Sequence, residues 1–175
     1  MKRSDIHPLP EFFDRYIHLV QDIELTEALE EKLNYRAEEV AVFKNLKDLS
    51  YAKDKWTVKD ILQHVIDTER IQAYRALRFA RKDKNLLPGF DEVLYGATAH
   101  ATNRTVDDLL LEHQAVRQST IALFKSFSQE NLLETGICFN ISISVLALGF
   151  VIAGHQIHHL KIIRERYLPL IAGMQ

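Results

Sequence analysis

Residues Ile152 to Tyr167 read IAGHQIHHLKIIRERY and hold three of the eight histidines of the chain. The segment overlaps the apolar run VLALGFVIA, residues Val145 to Ala153, so a helix here places imidazole rings among aliphatic side chains. His155 and His159 are four positions apart, which is about 40° around a helix, so both lie on one face. The same face is otherwise apolar and is therefore expected to point into a helical core, since it carries Leu148, Val151, Ile152 and Ile162.

Two inward imidazoles need polar partners, because burying an unpaired polar group costs about 1–3 kcal/mol. A divalent metal would satisfy both rings, with nitrogen ligands at about 2.0–2.1 Å. Hydrogen bonds to helix carbonyls or to a neighbouring acid would satisfy them too. Since pairs at this spacing also arise by chance, the spacing alone leaves both interpretations open.

A second helical pattern runs through WTVKDILQHVIDTERIQAYRALRFARKD, which begins at Trp56. His64 lies there in a polar column with Asp60, and Asp67 is just to its side, while Leu62, Val65, Ile66, Ala73, Ala76 and Ala80 form the opposite face. One interpretation is a solvated stripe whose ion pairs contribute little to stability. The other is that His64 completes a three-histidine metal site and that Asp60 or Asp67 orients its ring.

Arg75 continues the polar column of His64, three turns further along the helix. Two roles are open to this side chain. It could bind a carboxylate of a substrate, or it could form a structural ion pair with one of four acidic residues, Asp60, Asp67, Glu69 or Glu112.

The whole chain, residues 1–175, is expected to form a single all-α domain, a four-helix bundle with crossover connections. Low glycine and proline content and the lack of sustained apolar–polar alternation favour helix over sheet. The predicted helical segments are a first one from Pro10 with further helix over Leu25–Leu46, a second from Thr57 to about Arg81, a third from Thr105 to about Phe127, and a fourth from Ser142 or Ser144 to Tyr167. Pro169 is expected to end the fourth, and a long connection after Arg81 is expected to be functional or partly helical.

Composition narrows the classes of function. A net charge of −2 argues against a general nucleic-acid surface, which needs an excess of Lys and Arg. The longest apolar run is less than half of the roughly 20 residues of a membrane span, and the start of the chain lacks the apolar core of a secretion signal. The one cysteine, Cys138, cannot form an internal disulfide, so a cytoplasmic location is expected.

Two blocks, WTVKDILQHVIDTERIQAYRALRFAR and ISISVLALGFVIAGHQIHHLKIIRERY, together resemble the DinB-like superfamily, in its branch of YfiT-type metal-dependent hydrolases. The resemblance covers Pro10 to Leu168. It implies a four-helix bundle that binds a divalent metal, usually zinc or nickel, through one histidine of the second helix and two of the fourth. Carried over to this chain, the ligands are His64, His155 and His159, whereas His158 is not expected to be one.

The resemblance also implies an activity, because the superfamily includes thiol-dependent transferases. We therefore expect a metal-dependent, low-molecular-weight-thiol S-transferase that acts in stress or detoxification on a small-molecule thiol and an electrophilic substrate, and that forms a homodimer. A hydrolase using metal-activated water is the alternative. A stress protein that binds metal without turnover, and a bundle whose histidines are merely hydrogen-bonded, also remain open.

Overall fold

Helices dominate the residues that this computed structural model describes, 1–31 and 33–172. The α-helices are α1 (Asp14–Ile17), α2 (Leu25–Glu31), α3 (Ala37–Leu46), α4 (Val58–Ala80), α5 (Glu92–Thr98), α6 (Val106–Lys125), α7 (Gln129–Leu133), α8 (Val145–Ile162) and α9 (Leu168–Ala172). Short 3-10 turns cover Arg3–Asp5 and Ala101–Asn103, and a π-helical turn, Ile163–Tyr167, joins α8 to α9. The predicted domain of residues 1–175 includes Lys32 and residues 173–175, which lie outside the described residues.

The predicted four-helix bundle is confirmed, although the predicted first helix is divided into short segments. Helix α4 packs against both α6 and α8, while α1 and α2 pack against α8, and α2 also contacts α6. The expected first helix is interrupted at Phe12, whose φ of 70° is rare for a bulky residue, and regular α-helix begins only at Asp14. The segment predicted as helix over Leu25–Leu46 is divided between α2 and α3, and it includes Lys32, outside the described residues.

Hydroxyl side chains set the starts of the three long helices, as the sequence predicts. Thr57 accepts a hydrogen bond from the backbone N–H of Asp60, and the Asp60 carboxylate accepts one from the N–H of Thr57, which completes a capping box. Thr105 caps α6 and Ser144 caps α8 in the same manner, each through one hydrogen bond to the first turn. The alternative start of the fourth helix at Ser142 is therefore wrong.

A short antiparallel hairpin departs from the all-α prediction. Strands β1 (Thr135–Cys138) and β2 (Ile141–Ser144) pair with Cys138 opposite Ile141. The two residues of the turn, Phe139 and Asn140, both have positive φ, as a two-residue hairpin turn requires. The sequence did not predict this hairpin for two reasons. Strands of four residues are too short for a recognisable apolar–polar alternation, and Phe is not a residue typical of a turn position with positive φ.

Pro169 does not end the last helix, because helical structure continues to Ala172 through the π-helical turn and α9. Since α9 begins at Leu168, Pro169 lies in its first turn, where a missing N–H removes no hydrogen bond of that helix. The combined stretch Val145–Ile171 is long and apolar enough to cross a membrane, but 67% of its apolar window is buried inside the described structure, as in the core helix of a bundle.

Two apolar clusters make up the described core, and α8 together with the π-helical turn that follows it spans both. The first includes α8 residues from Val145 to Ala153 and packs on α1, α2 and the C-terminal part of α4. The second includes Ile163 and Tyr167 and packs on α3 and the start of α4. His155 and His159 therefore lie on α8 at the junction between the two clusters.

A buried ion pair joins α4 to α6 on the side away from that junction. Arg117 donates from Nε to Oε1 of Glu69 at 2.8 Å and from Nη2 to Oε2 at 2.9 Å, with 0% and 2% of the two side chains exposed. Its Nη1 donates to the carbonyl of Leu29 at 3.2 Å, which ties in α2. Burial raises the pKa of Glu69, but the charge of Arg117 and hydrogen bonds from His113 and Arg117 outweigh it and lower this pKa to about 2.

Replacement of Glu69 by Gln should lower the free energy of unfolding at pH 7 by about 3–5 kcal/mol, because the Arg117 charge stays buried without a carboxylate. Urea denaturation measures this loss. The control variant Lys125→Gln removes the exposed ion pair with Glu30 and should lower the free energy of unfolding by less than about 1 kcal/mol. Because the folded-state pKa of Glu69 is depressed, the stabilisation is present above its ordinary value near 4.5 and should fade as pH falls toward 2. Equal losses in the two variants at pH 7 would contradict this account.

Candidate metal centre

Three imidazole rings from two helices meet at the contact between α4 and α8. Nε2 of His155 lies 3.2 Å from Nε2 of His64 and 3.1 Å from Nε2 of His159. One nitrogen from each ring lies within 4.8 Å of the other two. The structure thus brings together the three histidines that the sequence predicts as metal ligands.

The spacing of these nitrogens suits a single small cation. A tetrahedral ion with Zn–N bonds of about 2.0–2.1 Å places its ligand atoms about 3.3 Å apart. The observed separations of 3.2 and 3.1 Å are close to that edge length. Two of the rings are almost fully enclosed, with 7% of His64 and 6% of His155 exposed, so water cannot satisfy their nitrogens freely.

All three rings are held in the neutral form that can bind a metal. Burial lowers the pKa of His64 to about 4, and the charge of His158 adds to this effect. Burial, with His64 and His158, lowers the pKa of His159 to about 3. The pKa of His155 lies well below its ordinary value, first because of burial and then because of His159 and His64. Neutral imidazoles offer lone pairs to a cation without first losing a proton.

Aromatic side chains pack around the cluster on both sides. The ring of Trp56, immediately before the cap of α4, lies 4.8 Å from the ring of His64. On the opposite side, the Tyr16 ring of α1 makes edge-on contacts at 5.3 Å with both His155 and His158. His158 itself faces Tyr16 and is half-buried, away from the shared Nε2 atoms. His158 is not one of the three histidines whose nitrogens converge, and its exclusion as a ligand stays a prediction.

Gly154 brings α1 close to the metal-facing part of α8. A Cβ atom at this position would lie 2.0 Å from the carbonyl oxygen of Tyr16 and 2.6 Å from its carbonyl carbon. Only a residue without a side chain allows the two backbones to approach so closely. In the sequence, the one signal of this close approach is a glycine within an otherwise strongly helical apolar stretch, and the role of Gly154 was not predicted from it.

The carboxylates predicted to orient His64 contact other groups. Asp60 accepts hydrogen bonds from the backbone N–H and the hydroxyl of Thr57 at 2.9 and 2.8 Å. Asp67 accepts from Nε2 of Gln63 at 3.0 Å and lies 3.7 Å from Arg70. Neither acid therefore contacts His64 in the orienting role that the sequence suggested. Asp60 caps α4, and Asp67 pairs with neighbouring side chains of the same helix.

Other groups lie beside the outer nitrogens of the cluster. The hydroxyl of Thr68, one turn further along α4, is 3.5 Å from Nδ1 of His64. Nδ1 of His159 is buried and has no hydrogen-bond partner among the described residues. The orientation of these rings therefore depends on packing against Trp56 and Tyr16 more than on a hydrogen-bonded acid.

Arg75 is buried on α4 but forms no ion pair with another described residue. It is 3% exposed, and its guanidinium donates to the Pro88 carbonyl at 3.3 Å and to Oε1 of Gln72 at 3.5 Å. Two of the acids proposed as its partners are paired elsewhere, Glu69 with Arg117 and Glu112 with Arg70 and Arg104. The ion-pair interpretation of Arg75 is thus wrong, and its binding to a substrate stays a prediction.

The sequence profile of the DinB superfamily matches residues 14–163. The chain belongs to the DinB superfamily. Among solved structures, it resembles YfiT from Bacillus subtilis, which is described as a probable metal-dependent hydrolase with an unusual four-helix bundle topology. The TM-score is 0.70 at 18% sequence identity, over 91% of this chain and 88% of YfiT, which shows a shared fold. No curated protein matches the sequence significantly.

Replacement of Gly154 by Ala should destabilise the protein by several kcal/mol, or displace α1 from α8, because backbone atoms of Tyr16 cannot yield as a flexible side chain does. Thermal unfolding and near-ultraviolet circular dichroism report the two effects. Gly89→Ala is the matched control, since the nearest atom to its new methyl group, on Phe139, is 3.9 Å away. Wild-type stability and spectrum in Gly154→Ala would show that the close approach is not required.

Proposed function

We propose that this DinB-superfamily protein binds one divalent metal ion, zinc or nickel, through Nε2 of His64, His155 and His159. The observation that carries the proposal is the convergence of one nitrogen from each ring within 4.8 Å, with Nε2 of His155 at 3.1–3.2 Å from the other two. The shared fold with YfiT supports it, because that protein is described as metal-dependent. Imidazole nitrogen is a suitable donor for both metals, so the ligand set does not choose between them.

The ligand set favours a catalytic over a structural ion. Structural zinc sites are closed by four protein ligands, whereas catalytic sites have three and keep a position for water or substrate. The cluster contains three ligands among the described residues, and the nearby acids Asp60 and Asp67 are engaged by other groups. A divalent cation held here would act as a Lewis acid and lower the pKa of a water or thiol that binds at the open position.

For the reaction we propose S-transfer from a low-molecular-weight thiol to an electrophile, in stress or detoxification. The sulfur forms a bond to the electrophilic carbon, the leaving group departs with its bonding electrons, and the thiol proton is released to solvent. The chain's own residues exclude water and fix the site, through Trp56 beside His64 and Tyr16 beside His155. Membership of the DinB superfamily, which includes thiol-dependent transferases, supports this choice.

Hydrolysis is the second candidate, and the likeness to YfiT favours it. It would use the same three histidines, with water in place of the thiol.

A homodimer in the cytoplasm, without nucleic-acid or membrane partners, stays our prediction for the assembly and location of the protein.

Metal binding can be measured through Trp56, the one tryptophan of the chain, whose ring is 4.8 Å from His64. Titration of metal-free protein with nickel, an open-shell ion that quenches indole emission at short range, should quench Trp56 with one equivalent. Nickel binding should weaken by more than about 100-fold in each of three variants, His64→Ala, His155→Ala and His159→Ala. Loss of a residue that only supports a metal ligand costs up to about 100-fold, and loss of a ligand itself should cost more. His158→Ala, the matched control, should bind as the wild type does. Wild-type binding by His155→Ala would refute the ligand assignment.

Turnover is tested with the metal-loaded protein, 1-chloro-2,4-dinitrobenzene and either bacillithiol or glutathione. We expect a thioether product that forms faster than in the metal-free protein and that is lost in His159→Ala. No metal-dependent thioether, together with metal-dependent cleavage of p-nitrophenyl acetate, would select the hydrolase. Stoichiometric metal with neither reaction would contradict both enzymatic proposals and leave a metal-binding protein without turnover.

A further inference from the structure

A cavity of about 360 Å³ lies beside His159 at the end of the bundle. We call it the end cavity and define it by six of its lining residues, Tyr51, Trp56, His159, Ile162, Arg166 and Tyr167. Its volume is within the range of about 300–1,000 Å³ that small-molecule sites usually have. The end cavity thus adjoins the proposed metal site through one of the metal's own ligands.

The π-helical turn at Ile163–Tyr167 shapes the end cavity. A π-turn carries one more residue than an α-turn and often occurs at functional sites. Its last two residues both face the Tyr51–Trp56 segment: the Tyr167 hydroxyl donates to the Trp56 carbonyl at 2.6 Å, and Nη1 of Arg166 donates to the Tyr51 hydroxyl at 3.0 Å. The turn therefore fixes the segment that carries Trp56 against the end of α8.

Access to the three histidines favours the end cavity over two other cavities of similar volume, about 390 and 350 Å³, which none of the three histidines lines. His64 and His155 are buried, whereas His159 is partly exposed and lines the end cavity. The larger of those two cavities lies on another face of α8, beside Gln156 and Arg164. A molecule in the end cavity would reach the cluster from the side of His159.

The walls and rim of the end cavity define the chemistry of a ligand. Tyr51 and Trp56 supply aromatic walls, which suit a planar apolar group, and the buried Tyr167 lies behind them. Two cations, Arg166 and Lys55, and one acid, Asp54, also line it, so the lining has a net positive charge. Neither cation forms an ion pair with another described residue, and the Arg166 guanidinium lies over the Tyr51 ring at 5.3 Å from its centroid.

We propose that the end cavity is the electrophile-binding site and that it selects planar aromatic molecules with an anionic substituent. The aromatic body would pack against the Trp56 ring with its reactive carbon toward His159, and the anionic group would pair with Arg166 at the rim. This assignment rests on the proposed metal-dependent transfer, for which it names the class of the second substrate. The anion preference itself belongs to the cavity and requires no metal.

The test uses metal-free full-length protein and two isosteric probes, 4-nitrobenzoate and its neutral analogue 4-nitrobenzamide. Nitroaromatics quench indole emission on contact, so Trp56 reports occupancy, and calorimetry gives an independent affinity. We expect 4-nitrobenzoate to bind about tenfold more tightly than the amide, the lower end of what a hydrogen bond to a charged group contributes. Arg166→Gln should abolish this preference, while Arg166→Lys should retain part of it.

Arg164→Gln is the matched control, because Arg164 is also exposed and cationic but lines other cavities. It should keep the wild-type preference. Equal affinities for the acid and the amide, or an equal loss in Arg164→Gln and Arg166→Gln, would overturn the proposal. Since the measurement contains no metal, its failure is separate from failure of the nickel titration, which would reject the metal enzyme instead.

Discussion

The packing of α4 against α8 is the constraint on which the rest of the structure depends. One helix brings His64 and the other brings His155 and His159, and the three rings share a space too small and too dry for independent solvation. Burial in such a space makes the protonated, charged form of each ring unfavourable, and this lowers the pKa values of His64 and His159. A cation that replaces proton binding is the simplest way to satisfy three lone pairs that point at one another.

That constraint explains features of the neighbouring elements. Gly154 allows the backbone of α1 to approach α8, which sets Tyr16 against His155, and Trp56 closes the opposite side against His64. Helix α4 also carries a second polar group on a different face, since Glu69 lies five residues after His64 and therefore about 140° around the helix. Its pairing with Arg117 connects α4 to α6 and leaves the face toward α8 for the histidines.

Periodicity and capping chemistry made much of this predictable. The i,i+4 histidines on an apolar helix and the Thr57 and Thr105 caps depend on local sequence, so the helix starts and the inward face could be read directly. Asp60 and Asp67 pair within their own stretch of sequence, with Thr57 and Gln63. The contact of Arg75 with the Pro88 carbonyl could not be read from the sequence, because it depends on the path of the connection after α4. Tertiary packing overrides the local conformational preference of the backbone at three places. These are the interruption at Phe12, the Phe139–Asn140 turn and the continuation of helix past Pro169.

The position of Cys138 has a consequence for the proposed reaction. Its thiol is buried at the end of β1, and burial raises its pKa against the opposing charge of Arg75. A protonated, enclosed thiol is a poor nucleophile. In the proposed transfer, the one cysteine of the chain would therefore not compete with the small-molecule thiol for the electrophile.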